Sequence, residues 1–600
     1  MKLIITVLIM FFINISKVIP QGGWTKITDP QNAVSQYTTY FPYVGASFVD
    51  INSDNLPDLF ASPKTLFINQ GNGRYVFAEA LSLIVLNATA GSSWADLDND
   101  GDNDVVVAAT PSRVFLNNGS GSFTNATTFF PGLQNYGSWG CAIGEINEDR
   151  GLEVIFAHAN GYHPGSAPEP CRFYFPGDTA FGMHQLNTGY SFSQQLSSYT
   201  SPFWSDYDLD GDMDLFLASG PANGTPAQDL CYKNMKKETG IDTLVRMTSE
   251  LFAQHTQDGQ CYNFIDYDND GDFDLCITNY FSAPTRLYRN DGGVYNVVST
   301  QFSAVTSNIA NCWGDYDNDG DLDVIITNDN SPVRYFRNDA GSFNYLSGGL
   351  TTPTATNGAT NGDYDNDGDL DVFFNGVGNN GNTSSVGLYR NDTAAGNRKF
   401  INIKLTGIIS NKSALGSVVI ISSEINGTPV RQMREVNAQN SFQGQNDLRV
   451  HFGSGNTAVI DSVIIKWPKG LTETYTNIST NKFYNAVEGS GLYEIVTSGV
   501  SQISSQIPEG ISLYQNFPNP FNPETKIKFS VPAGEKSKLQ NVKLIIYDVS
   551  GKEIETLIKG DLKPGTYTAD WNASAFPSGV YFYRLYGNEI SITKAMIFLK

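Results

Sequence analysis

Residues 266–274 read DYDNDGDFD, five aspartates at alternate positions around one glycine. So many like charges in one short loop repel one another unless a cation sits among them. Asp266, Asp268 and Asp270 stand at positions 1, 3 and 5, Gly271 permits a tight turn at 6, position 7 can offer its backbone carbonyl, and Asp274 closes at 9. That donor set is all oxygen and suits a hard cation. Calcium fits best, because it accepts about 6 to 8 oxygens in flexible geometry, whereas magnesium demands a strict octahedron and keeps its waters. A helix–loop–helix calcium loop would put a bidentate Glu at position 12, but Ile277 stands there and the flanks CYNFI and LCITNY are strand-like. The expectation is a short calcium loop joining two β-strands.

The nonapeptide recurs seven times, with spacings of 46, 49, 61, 60, 49 and 48 residues between starts. The candidate ligands are Asp50, Asn52, Asp54 and Asp58 in the first copy, and Asp96, Asp98, Asp100 and Asp104 in the second. The third offers Glu145, Asn147, Asp149 and Glu153, and the fourth Asp206, Asp208, Asp210 and Asp214. Asp266, Asp268, Asp270 and Asp274 are followed by Asp315, Asp317, Asp319 and Asp323, and last by Asp363, Asp365, Asp367 and Asp371. The third copy departs most, with Glu at both ends and Arg150 in the glycine place. In the first, Asn55 replaces the glycine; Asn also tolerates positive φ, so this loop keeps its expected ion. Up to seven Ca²⁺ are therefore expected.

Each repeat has one plan: an apolar strand, the acidic loop, a β-branched strand such as VVVAAT or VIITN, and a strand–turn–strand such as VFLNNGSGSF or RLYRNDGGVY. Four strands per unit of about 40 to 50 residues is the signature of a propeller blade. The fold class expected is all-β: a seven-bladed calcium-binding β-propeller followed by two small β-sandwich-like domains. On these residues the segment 23–398 resembles the FG-GAP (VCBS) repeats that build the propeller of integrin α-chains and of many secreted bacterial proteins. The resemblance implies that the calcium loop joins the two innermost strands of each blade and that partners bind mainly on the opposite face.

Charge and the N-terminus agree with an exported protein. The net charge is −23, and 32 of the 61 acidic residues lie inside the seven nonapeptides, so seven Ca²⁺ would leave about −9. A nucleic-acid partner needs a basic surface and is excluded. MKLIITVLIMFFINIS has a lysine and then an apolar run too short to span a bilayer but suited to a signal peptide, assigned to residues 1–22. No integral membrane span is expected elsewhere. The six cysteines, Cys141, Cys171, Cys231, Cys261, Cys276 and Cys312, permit disulfides or buried free thiols, and without a CxxC they make poor zinc or redox sites.

Residues 399–489 alternate strand and turn and resemble an ASPIC/UnbV domain in Gly416, Arg434-Glu435-Val436, Ser441-Phe442 with Gln445, HFGSG at 451–455, WPKG at 467–470 and Glu488-Gly489. That family carries no dependable chemistry, and a structural role is expected for His451 and Trp467. A linker at 490–510 leads to residues 511–600, which resemble a type A sorting domain of type IX secretion substrates in NFPNPFNP, Tyr547-Asp548 with Gly551, PSGVYFYRL and the terminal Lys600. The resemblance implies recognition by an outer-membrane translocon, a secreted or outer-surface location, and a bacterium of the Bacteroidetes type.

No HExxH, GxSxG or P-loop is present, and five histidines in 600 residues leave general acid–base work to carboxylates that calcium would already occupy. The reading is therefore a binding or adhesion protein for an extracellular carbohydrate or protein, not an enzyme. The alternative is a calcium-dependent polysaccharide lyase or hydrolase with a basic and aromatic cluster in a deep central groove. The longest insertions, AHANGYHPGSAPEP and ASGPANGTPAQDL, should lie on the face away from the calcium loops. His158, Tyr162 and His163 in the first, with Tyr280 and Phe281 in the fifth repeat, are the ligand-binding candidates, because aromatics on such a rim suit a sugar or a protein.

Overall fold

The computed structural model describes residues 23–600 apart from 72, 79–90, 120, 148, 159, 161–168, 177–182, 186–198, 221–226, 347–349, 351, 353, 380, 394–397, 496–499, 505–507, 509, 533–539, 563, 574–575 and 588–589. The chain is all-β, and the repeats form seven four-stranded sheets. In sheets one to six, numbered in chain order, four strands pair antiparallel in sequence order, interrupted only in sheet four, where Ala227–Gln228 lies between the second and third strands and pairs with Thr256–Gln257 instead; sheet five, for example, is Gly259–Ile265, Asp274–Asn279, Arg286–Asn290 and Tyr295–Val298. The seventh takes three strands from its own repeat, Gly358–Gly362, Asp371–Asn375 and Gly387–Asn391, and its outer strand from the other end, Trp24–Lys26, with Trp24 opposite Asn391. The first strands of neighbouring sheets touch in a cycle that runs from sheet one to seven and back to one.

Residue type explains the closeness of that cycle. The first strands read ASFV, GSSWA, GCAIG and GATNG, buried throughout and rich in Gly, Ala and Ser, so adjacent backbones can approach near the axis. Large side chains fill the wedges between sheets: Phe60 meets Trp94 edge-on, Phe173 stacks on Trp204, and Tyr75 stacks on Tyr364. All six cysteines are buried and unpaired, which settles the choice between bridges and thiols. Burial pushes the Cys141 and Cys312 thiols up to about 12, so they behave as small apolar side chains.

Two sheets follow. In one, Phe400–Thr406 lies between Val450–Gly453 and Lys482–Val487, the latter parallel to it; in the other, Val418–Ile425 lies between Thr428–Glu435 and Val459–Lys466. The C-terminal part again has two four-stranded sheets, packed over Phe529, Ile546, Trp571, Tyr583 and Phe598. The segment 490–510, expected as linker, contributes strands to both neighbours. Gly491–Ile495 pairs with Lys482–Val487, and Val500–Ser504 pairs with Gly565–Asn572. Short polar stretches can add to an open sheet edge through backbone bonds alone, and composition does not reveal this. No described helix is long and apolar enough to cross a membrane. Residues 1–22, with the expected signal peptide, lie outside the described residues.

Candidate metal loops and the filled axis

Every nonapeptide joins the first and second strands of its sheet. Two left-handed residues fold the loop. Position 4 has φ near +60° in Ser53, Asn99, Leu209, Asn269, Asn318 and Asn366, and position 6 is positive in Gly101, Gly211, Gly271, Gly320 and Gly368. Asn55 and Arg150 take the same turn at +66° and +83°; Asn tolerates it, whereas Arg pays a backbone strain.

The turn directs backbone N–H groups at the carboxylates. Asp315 Oδ1 accepts from Asp319 N at 3.0 Å and its Oδ2 from Gly320 N at 2.8 Å, with the same pair at Asp96 and Asp363. Position 9 clamps the loop to its sheet. Asp323 Oδ2 accepts from Tyr316 N and its Oδ1 from Asn338 N, and Asp58, Asp104, Asp274 and Asp371 repeat this pattern.

The remaining oxygens converge. One oxygen each from Asp96, Asp98 and Asp104 lie within 4.8 Å of one another, as do those of Asp206, Asp208 and Asp210, of Asp266, Asp268 and Asp274, and of Asp315, Asp317 and Asp323. Buried carboxylate oxygens of Asp206, Asp214, Asp268 and Asp365 have no hydrogen-bond partner. Burial, then neighbouring aspartates in most cases, pushes the carboxyls up: Asp96 to about 7, Asp104 to about 8 and Asp274 to about 9. Asp58, Asp214, Asp315, Asp363 and Asp371 are raised well above the usual range. Such groups must hold either protons or a cation, and an all-oxygen cage fits calcium. In the third loop Asn147 Nδ2 donates to Glu153 Oε1 at 3.2 Å, so one candidate ligand is bonded to another.

An asparagine that the sequence reading did not single out ties the loops together. The last residue of the third strand, Asn69, Asn117, Asn234 or Asn391, donates its side-chain amide to position 2 of the preceding sheet's loop, at 2.7 to 2.8 Å. Asn338, one residue before the end of its strand, does the same to Tyr267 O at 2.8 Å. Position 4 reaches the other way: Asn269 to Gly320 O and Asn318 to Gly368 O, both at 3.1 Å. In sheet three the matching residue is Pro176, which has no amide to give.

The segment 398–489 covers this loop face. Lys404 Nζ lies 3.1 Å from Asp50, Arg449 donates to Asp363 O at 2.8 Å and to Asn366 Oδ1 at 2.9 Å, and Ser413 Oγ accepts from Asp96 N at 2.8 Å. Glu435 accepts from Ser205 Oγ and Asp206 N, and burial pushes its carboxyl up to about 7. Burial lowers the Arg434 guanidinium to about 10, though Asp315 and Asp266 pull it back toward the charged form. His451 is bonded to Gly368 O at 3.0 Å, and burial lowers it to about 4, so it is a neutral donor there.

Between Arg434 and Arg449 the chain enters the axis of the ring. Ser441 and Gly444 form a tight turn whose tip carries Phe442 and Gln443, both buried. Gln445 O accepts from Phe48 N and Thr360 Oγ1, Gln445 Oε1 from Trp94 N, Gln443 O from Ser92 N, and Asn446 Oδ1 from Asn361 N. A Cβ on Gly45 or on Gly444 would lie 2.0 Å from the Gln443 or the Ala46 carbonyl oxygen, so glycine is required on both sides of the contact. A cavity of about 120 Å³ remains beside this turn, lined by Trp204, Asn263, Trp313, Arg434, Glu435 and His451 among others.

At the opposite face Tyr43 and Tyr280 both donate to Asp329 Oδ2 at 3.0 Å, and Tyr43 leans on Trp139 at 6.2 Å between ring centres. Of the ligand-binding candidates, Phe281 stands 71% exposed and Tyr280 is held by Asp329. His158 is buried, not on a rim: its Nδ1 accepts from Asn160 N at 2.8 Å and its ring packs edge-on against Tyr136. The nearby hydrophobic cluster makes burial more favourable than exposure for that ring. Tyr162 and His163 lie outside the described residues. Tyr40, 78% exposed, joins this face without having been singled out in the sequence.

A family model described as an FG-GAP-like repeat matches residues 50–107, 96–156, 266–326 and 315–374. The repeats within these residues are FG-GAP-like repeats. ASPIC and UnbV matches 407–492, and a secretion system C-terminal sorting domain matches 515–599, so the FG-GAP chain is marked for export to the cell surface or the medium. None of the three is a catalytic family. No curated protein matches the chain. Among solved structures, a protein assigned as a 6-phosphogluconolactonase of Bacteroides uniformis is 9% identical, with TM-score 0.26, over 65% of this chain and 97% of its own. PorZ, a surface component of the type IX secretion system of Porphyromonas gingivalis, is 11% identical, with TM-score 0.13, over 91% and 86%. A DUF3823 family protein of Parabacteroides merdae is 8% identical, with TM-score 0.12, over 34% and 98%. At these TM-scores none of the three carries an argument about the FG-GAP ring.

Proposed function

We propose that the chain is a calcium-stapled, seven-bladed FG-GAP β-propeller acting outside the cell as a binding or adhesion protein for a carbohydrate or protein. The observation that carries this reading is the turn Ser441–Gln445, which fills the axis and, with the domain around it, covers the loop face. A groove enzyme would need that axis open, whereas the face around Phe281 and Tyr40 is presented to solvent. Calcium would be held by the aspartates at positions 1, 3, 5 and 9 of the loops, with Asn52 in the first and Glu145, Asn147, Asp149 and Glu153 in the divergent third. When bound, it would neutralise carboxylates that otherwise repel one another. We read residues 23–398 as the propeller, 399–489 as the ASPIC/UnbV-like domain docked on it, and 511–600 as the part that an outer-membrane translocon recognises.

The test is to incubate the purified chain with soluble and insoluble polysaccharides in calcium, and to assay retention together with new reducing or unsaturated ends. Retention that Phe281→Ala abolishes, without new ends, supports the binding reading. New ends would establish an enzyme instead.

A further inference from the structure

The fourth acidic loop already contains a cation. Lys233, in the third strand of the same sheet, places its ammonium against Asp208, 3.2 Å from Asp210 Oδ2 and 2.5 Å from Glu238 Oε1. Asp208 and Asp210 are positions 3 and 5 of the loop, two of its candidate calcium ligands. Glu238 belongs to an insertion, Lys236–Thr239, that is held over the loop by the bond from Lys237 N to Asp212 Oδ2 at 2.9 Å.

The other sheets show what is different here. The residue before the corresponding asparagine, Asn290, Asn338 or Asn391, is basic in sheets five, six and seven as well: Arg289, Arg337 and Arg390. Each of these arginines pairs with an aspartate two residues on, Asp291, Asp339 or Asp392, at 2.9 to 3.0 Å, and among the described residues none makes an ion pair with its own loop. In the fourth sheet that place is Met235, which offers no charge, and Lys233 turns to the loop instead. Among the described residues no ion pair joins a basic side chain to positions 3 or 5 of loops two, five or seven. Arg398 approaches Asp317 in loop six, but from outside that sheet, at 2.6 Å from one carboxylate and 3.7 Å from the next.

We propose that Lys233 is the resident cation of the fourth loop, so that this loop takes calcium only at higher concentration than loops two, five and seven, after the ammonium is displaced. The inference rests on the reading of these loops as calcium sites. Its physical basis is competition for the same oxygens: a divalent ion would sit a few ångströms from a positive charge, and Asp208 would give up its hydrogen bond and Asp210 its ion pair with the ammonium. The loop would stay neutralised in low calcium while its neighbours open.

The test is to count Ca²⁺ bound per chain by native mass spectrometry across a series of free calcium concentrations. The wild type is compared with Lys233→Met, Lys233→Gln and Lys236→Met, the last because Lys236 pairs with Asp242 away from the loop. Both Lys233 variants should fill one ion at about tenfold lower calcium, and Lys236→Met should follow the wild type. Superimposable counts for wild type and Lys233 variants would overturn the proposal while leaving the calcium reading intact; no bound ion in any protein would overturn both. Crystals of the wild type at low calcium test it without a variant: density in loops two, five and seven but not in the fourth supports it, and density in all four refutes it.

Discussion

Gln445 takes the backbone N–H of Trp94 on its side-chain oxygen at 2.8 Å, although 351 residues separate them. The same glutamine meets Phe48 and Thr360 through its carbonyl, so one residue of the segment 398–489 is bonded to three sheets of the ring. Gln445→Ala would strand the buried Trp94 amide, at a cost of about 1–3 kcal/mol. Gly444→Val would place a Cβ 2.0 Å from the Ala46 carbonyl oxygen and should cost more. Thermal unfolding checks both: the ring and the segment 398–489 should melt in one transition in the wild type, and Gly444→Val should split it in two.

Asp266→Ala removes the first ligand of the fifth loop. The melting temperature should fall in calcium and stay nearly unchanged in chelator, because the lost term is ion binding to the folded state alone. Equal losses under both conditions would mean that Asp266 acts without a metal.

In chelator, stability should fall as pH rises. The carboxyls of Asp96, Asp104 and Asp274 are pushed up to about 7, 8 and 9, above their unfolded value near 4. The folded chain therefore binds more protons than the unfolded chain between about pH 4 and 9, and stability declines across that window. Calcium replaces those protons, so the decline should flatten when it is present. Melting curves at pH 5 and pH 8, with and without calcium, give the comparison; a chelated protein more stable at pH 8 would contradict it.

Asn338 spans two sheets, donating to Tyr267 O from one side chain and to Asp323 Oδ1 from its backbone. Asn338→Ala should cost about 1–3 kcal/mol in denaturant unfolding with calcium present, since it leaves a buried carbonyl without its donor. The loss should shrink when Tyr267 is already detached by Asp274→Ala, and strict additivity of the two changes would show that the bond does not couple loop to loop.

The positions that the sequence displayed openly are the local ones. Within nine residues the alternation of aspartates, the residue that turns at position 6 and the strand-like flanks follow from short-range geometry, so the loop, its period and the four-strand plan could be read directly. Residues of the ASPIC/UnbV resemblance were visible as a pattern but not as a purpose. In the fold, Arg434, Glu435, Ser441, Gln445 and His451 all face the ring, and Glu488 instead collects three backbone N–H groups of 408–410.

By itself, then, the sequence determined an all-β chain, its seven oxygen-lined loops and its export tail, because each depends on neighbours along the chain. Only the tertiary structure decided that Trp24–Lys26 completes the seventh sheet, that Ser441–Gln445 fills the axis and that Lys233 occupies the fourth loop. The bridging asparagines show why: they follow position 9 by 11 residues in the first sheet and 20 in the fourth, and their partners lie in another sheet. Contacts between distant segments depend on how the sheets close on one another, and no spacing along the chain records that closure.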